Sequence, residues 1–206
     1  MMESALQQNR MTHAKKLLAS TSFEVTPRSW KLFLSRSAEG AGHILPGTKV
    51  FIAHIEGVPI KEMVETARML RLAGADPVPH IPARLVPDKG ALQDWLSAYR
   101  GEAGVTQALV IAGLVKMPAG DFSSSMDLVA TGLFDRNGFT DLAFAGHPEG
   151  CRDVDPDGGS TQAGAALRWK QAFRDRTGLG GIADHAVRFR QRPRARLGRP
   201  VSPVRN

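Results

Sequence analysis

Asp141-Leu-Ala-Phe-Ala-Gly-His-Pro-Glu-Gly150 is the stretch on which the fold turns. Leu142 to Ala145 form an apolar run without helical periodicity, as in a parallel strand buried on both faces. The run ends on Gly146, His147, Pro148, Glu149 and Gly150, a turn carrying an imidazole and a carboxylate. Such groups, just past the carboxyl end of a buried strand, are the arrangement of open α/β sheets and eightfold barrels. An ordinary strand-to-helix turn with a solvated His and Glu fits the same residues, so the neighbouring segments must decide.

Working outward, Gln107-Ala-Leu-Val-Ile-Ala-Gly113 is a second strand of the same kind, and Asp76-Pro-Val-Pro-His-Ile-Pro-Ala83 a proline-studded third. Lys49 to Ile55 and Thr21 to Pro27 complete five. Helical patterns lie between them. Pro59 suits a first helical position ahead of the stripe Ile60, Met63, Val64, Ala67 and Leu70, and Gly74 is a natural stop. Asp88 can cap a helix bearing Leu92, Trp95, Leu96 and Tyr99, and Met126, Leu128 and Val129 mark the next. After the acidic, glycine-rich loop Asp153 to Gly159, Thr161 can cap a helix with Ala166, Leu167, Trp169 and Phe173, beside Arg168 and Lys170. Strands thus alternate with helices at a spacing of roughly 25 to 35 residues, which predicts a parallel sheet. His54, His80, Gly113 and His147 with Glu149 fall at or just beyond strand ends. One polar group per strand end is the pattern of a (β/α)8 TIM-barrel active face. A full barrel needs eight units and ~250 residues. Only five units are legible, so an incomplete barrel is expected.

Glu24 sits inside an apolar run. A carboxylate there costs several kcal/mol unless it is paired or kept protonated. The solvent side of an edge strand is the plainer alternative.

With 206 residues, one domain is the default. Residues 1–20 read as a flexible arm, 21–178 as the barrel part and 179–206 as a disordered basic tail. No apolar run approaches the ~20 residues of a membrane span. Gln7, Gln8 and Asn9 stand where an export signal would need apolar residues. The lone Cys151 excludes an internal disulfide and fits a reducing compartment, so a cytoplasmic location without membrane contact is expected. Seven Arg and one Asp between Leu179 and Asn206 account for +6 of the formal +7, leaving +1 on the first 178 residues. The high pI therefore describes the tail, and the body offers no nucleic-acid surface.

The ordered set Ser22-Phe-Glu-Val25, Pro79-His80-Ile-Pro-Ala-Arg84, Leu109-Val-Ile-Ala-Gly113 and Ala145-Gly-His-Pro-Glu-Gly150 resembles methylenetetrahydrofolate reductase. Phe122 to Gly138, with Thr131-Gly-Leu-Phe134, is similar to the same family. The resemblance covers about residues 20 to 178 and implies an FAD-containing barrel that reduces 5,10-methylenetetrahydrofolate to 5-methyltetrahydrofolate. It implies NADH or NADPH as electron donor and is compatible with a homo-oligomer. By position, Glu24 matches the family's general acid, which protonates the folate nitrogen so that the methylene bridge opens to an iminium. His80 and His147 match positions lining the flavin, His54 and Gly113 fall where strands two and four meet it, and Lys170 matches a cation serving its phosphate or ribitol side. Two departures stand out: Leu114 replaces an Asp common after the strand-four glycine, and the family's sixth-strand Thr-Gln-Phe is absent after Gly178.

In place of that sixth strand, Arg and Pro alternate. The codons for His185 to Arg190, read one base later, permit Thr-Gln-Phe-Ala-Phe-Asp, so the tail is expected to be a reading-frame product on a truncated barrel of doubtful activity. The competing readings are a non-catalytic barrel remnant and a metal-dependent barrel hydrolase using His54, His80, His147 and Asp153. No tight pair of ligands such as His-x-His supports the latter, and no metal site is expected.

Overall fold

A computed structural model describes residues 21–38, 44–145 and 155–177. His147, Glu149, Cys151, Asp153, the N-terminal arm and the basic tail lie outside the described residues. The chain alternates as anticipated: β1 (Phe23–Val25), α1 (Trp30–Ala38), β2 (Lys49–Ile52), α2 (Ile60–Leu72), β3 (Asp76–Pro82), α3 (Lys89–Ala103), β4 (Gln107–Ile111), α4 (Ser125–Ala130), α5 (Leu133–Arg136), β5 (Asp141–Phe144) and α6 (Thr161–Thr177).

All four strand pairings are parallel, and the order is β1-β2-β3-β4-β5. Chain order and spatial order coincide. A doubly wound sheet would reverse direction at a switch point; this one does not, and it is compatible with part of a βα-barrel wall.

Alternation along the strands sorts side chains into two layers. Val25, Val50, Ile52, Ile81, Ala108, Val110, Leu142 and Phe144 join one large core with Met63, Val64 and Leu70 of α2 and Leu92, Leu96 and Tyr99 of α3. The opposite face carries a small separate cluster of strand residues, Val78, Leu109 and Ala143, flanked by Phe51 and Ile111. Helices therefore cover one face, and the other is the inner face. That inner face is concave. Lys49 on β2 and Asp141 on β5 meet at 2.9 Å across the two intervening strands. Strands three apart in a flat sheet lie about 14 Å from each other, and side chains stand perpendicular to it; the tips meet because the sheet curls.

Local chemistry explains most boundaries. Asp88 caps α3 by accepting from the Ala91 N–H at 2.8 Å, and Gly104 ends it at φ +59°. Gly74 follows α2 at φ +87°, where the Ala75 N–H reaches back to the Leu70 carbonyl. Pro59 is the cap of α2 rather than its first helical residue. β3 holds Pro77, Pro79 and Pro82 although it lies between two partners. Its ladder is divided: Asp76 to Pro79 pair with β2, and pairing with β4 is recorded from His80 to Pro82. Pro77 and Pro79 have no N–H to offer a second neighbour.

Helix α1 was not anticipated by periodicity. Thr26-Pro27 is its start signal: the Thr26 hydroxyl accepts from the Ser29 N–H at 3.2 Å while Ser29 Oγ accepts from the Thr26 N–H at 2.9 Å. Trp30, Phe33 and Leu34 then pack against the core. No helix among the described residues is long and apolar enough to cross a membrane.

Candidate functional site

Glu24 lies at the centre of β1, in register with Phe51 of β2. His80 lies on the inner side of β3, two residues beyond Val78, and its ring meets Phe51 edge-on at 6.2 Å. These strands bring Glu24 Oε2 to 3.6 Å from His80 Nε2. The two side chains differ sharply in environment: that of His80 is 12 % exposed and that of Glu24 52 %. Burial, with a smaller contribution from His54, lowers the His80 pKa to about 4. At neutral pH the contact therefore joins a carboxyl group to an uncharged imidazole and is no ion pair. His80 Nε2 is buried without a hydrogen-bond partner. An orphaned buried polar atom is costly and calls for an explanation.

His54 is placed elsewhere. Its ring stacks on Trp95 of α3, 5.2 Å between centroids and 21° between planes, so it turns toward the helices. Burial alone takes its pKa to about 4. The strand-end position of His54 was legible, but its direction depends on irregular residues after β2.

Lys170 projects from α6 to the end of β5. Its Nζ donates to the Ala145 carbonyl at 2.8 Å and stands 5.7 Å from the Phe144 ring centroid. It is buried, which lowers its pKa. It lines a cavity of about 320 Å³ beside Arg84, Ser123, Ser124, Ser125 and Gln162. Small-ligand clefts begin at about 300 Å³. Gly113 closes β4 at φ +92°, and a Cβ there would stand 3.1 Å from Pro82 Cβ. The glycine is required by its backbone and by its packing on β3.

The structure thus joins Glu24 to His80, and sets Lys170 in a cavity at the other end of the sheet. At the free edge of β1 a different hollow, of about 450 Å³, is lined by Phe23, Glu24, Leu32, Phe33, Arg36 and Ile44. His147 lies outside the described residues.

Arg84 closes the stretch Pro79 to Arg84 and holds the neighbouring loop. Its Nε donates to the Ser123 carbonyl at 3.1 Å and its Nη1 to the Val115 carbonyl at 3.2 Å. Its own carbonyl accepts from the Ala119 N–H at 2.9 Å. It straps the loop between β4 and α4 over the strand ends. Gly120 lets that loop pass the Pro87 carbonyl, which a Cβ would meet at 1.6 Å. The capping box at Ser124 and Asp127 was readable as Ser-x-x-Asp. Asp155, not Thr161, caps α6, accepting from the Gln162 and Ala163 N–H groups at 2.8 and 2.9 Å. No spacing rule finds a cap so far ahead of its helix.

Among the described residues no three His, Cys, Asp or Glu side chains are grouped to hold a metal ion. His54 stacks on Trp95 and His80 packs on Phe51. Compared with protein-family models, the chain matches none.

Proposed function

We propose that residues 21–178 are the flavin- and folate-binding part of a methylenetetrahydrofolate reductase-like (β/α)8 barrel, with FAD as cofactor, NAD(P)H as electron donor and Glu24 as proton donor. One observation carries the reading: Glu24 and His80, far apart in sequence, meet at 3.6 Å on the inner face of a parallel sheet. Active sites of such barrels are built from strand-end groups of several strands.

The residues present fit FAD by the chemistry of their donors. Arg84, Lys170, three serines and Gln162 surround one cavity at the strand ends, a set suited to a phosphate-bearing chain. The buried Nε2 of His80 adds an unsatisfied polar atom on the inner face. Flavin, when bound, supplies hydride chemistry. The chain's own work is protonic and positional. Glu24 holds a proton at Oε for the folate nitrogen, and its exposure lets it reach a ligand entering the concave face. Phe51, Val78 and Leu109 beneath it keep water from the inner wall. Lys170 and Arg84 fix the far end, Arg84 through the loop it straps.

The purified chain should show the visible absorption of oxidised flavin after FAD is added and free cofactor removed. Glu24→Gln should keep that absorption and lower folate reduction by about 10²-fold or more, the usual scale for a general acid. A chain that takes up no flavin would be a barrel remnant, and unchanged turnover in Glu24→Gln would remove the catalytic role.

A further inference from the structure

Glu24 and His80 are unequal partners. Packing holds the His80 ring against Phe51, whereas among the described residues no hydrogen bond fixes the half-exposed Glu24 side chain. Their 3.6 Å separation exceeds a good N–H···O distance of about 2.7–3.2 Å. A small torsion of the longer, freer side chain closes it.

We propose that His80 is a positioning residue for Glu24: its uncharged imidazole donates Nε2–H to the carboxylate left when Glu24 has given up its proton. The inference rests on Glu24 being the proton donor. In the step, the Glu24 O–H bond breaks, the proton goes to the substrate nitrogen, and the electron pair stays on the carboxylate. His80 gives up no proton; its N–H simply gains an acceptor. The new hydrogen bond is stronger than any to the protonated acid, because a charged acceptor strengthens it. It therefore favours the product of proton transfer over the reactant.

The surroundings keep His80 uncharged. Among the described residues, the titratable groups facing it are Glu24 on β1 and His54 beyond β2, and its β4 neighbour is Leu109. Burial opposes an imidazolium, and so does His54. A charged His80 would hold Glu24 as a carboxylate and oppose its use as a donor. An uncharged one stabilises the carboxylate after it forms.

The test uses the full chain. Two-bond ¹H–¹⁵N spectra at neutral pH should show His80 as the Nε2–H tautomer, with its Nε2 resonance shifted in Glu24→Ala. An Nδ1–H tautomer, or an identical His80 spectrum in both proteins, overturns the proposal. This arm needs no turnover and judges the inference even if the chain takes up no flavin. In turnover of folate counted per bound flavin, His80→Leu should lose roughly 10- to 100-fold, the scale of a hydrogen bond to a charged group. His80→Gln, which keeps an N–H at similar reach, should recover most of that loss. Unchanged turnover per bound flavin in His80→Leu, or no recovery in His80→Gln, would overturn it.

Discussion

His54 and His80 are the residues whose chemistry the fold changes most. Both pKa values fall from 6.5 to about 4, for each chiefly through burial. The unfolded chain therefore binds protons that the folded one refuses. The sign follows: their contribution is fully present above pH 6.5 and is lost as pH falls toward 4. Each histidine accounts for up to about 3 kcal/mol over that window, reduced where water reaches the ring. Urea unfolding between pH 7 and 4 should show the fall, and His54→Phe, which preserves the stack on Trp95, should remove about half of it. A flat profile in the parent chain would contradict the burial of both rings. Gly113 is constrained by geometry instead. Gly113→Ala should cost about 1–2 kcal/mol through its left-handed backbone, beyond any crowding against Pro82. An urea midpoint equal to that of the parent would show that the turn relaxes freely.

At the level of elements, caps do more than finish helices here. Asp155 is buried and satisfies two N–H groups at the start of α6. It also fixes Gln162 and Ala163, which line the cavity holding Lys170. Asp155→Ala should cost about 0.5–2 kcal/mol, the range for losing an N-cap. Amide exchange should quicken at Gln162 and Ala163 before it does in α3, whose own cap Asp88 is untouched. Unchanged exchange there would mean that the carboxylate is not what holds the helix start. Three readings at this scale fell short for local reasons. Helix α1 was hidden because Thr26-Pro27 reads as the end of a strand as readily as the start of a helix. Pro59 and Thr161 each stand one position from the part their residue types favour, a shift within the one or two residues by which helix ends vary.

For the whole molecule, Lys49–Asp141 is the contact that reports curvature, because it links residues 92 apart in sequence across two intervening strands. It is not a strong fastener. The side chains are 48 % and 30 % exposed, and pairs of that kind contribute about 0–1 kcal/mol. A double-mutant cycle with Lys49→Met and Asp141→Asn should give a coupling below about 1 kcal/mol that shrinks with added salt. A large, salt-independent coupling would mean the pair is dry and the inner face more enclosed than it looks. Among the described residues β1 and β5 each have one strand partner. The curl is therefore carried chiefly by packing of α2 and α3 on the outer face, where Met63, Leu70, Leu92, Leu96 and Tyr99 are fully buried.

The alternation of strands and helices, the parallel sheet and most stops are legible in the order of the residues alone. Those depend on interactions within a few residues: apolar runs, Asp88 as a cap, Gly74 as a terminator. Tertiary structure alone decided which side chains meet. A shift of one residue sends a strand's side chains to the opposite face, and the irregular residues after Ile52 sent His54 to Trp95 rather than toward Glu24. The approach of Glu24 to His80, the strap made by Arg84 and the reach of Lys49 to Asp141 all depend on how far the sheet curls. Curl is set by the packing of many side chains at once, and no short stretch of sequence specifies it.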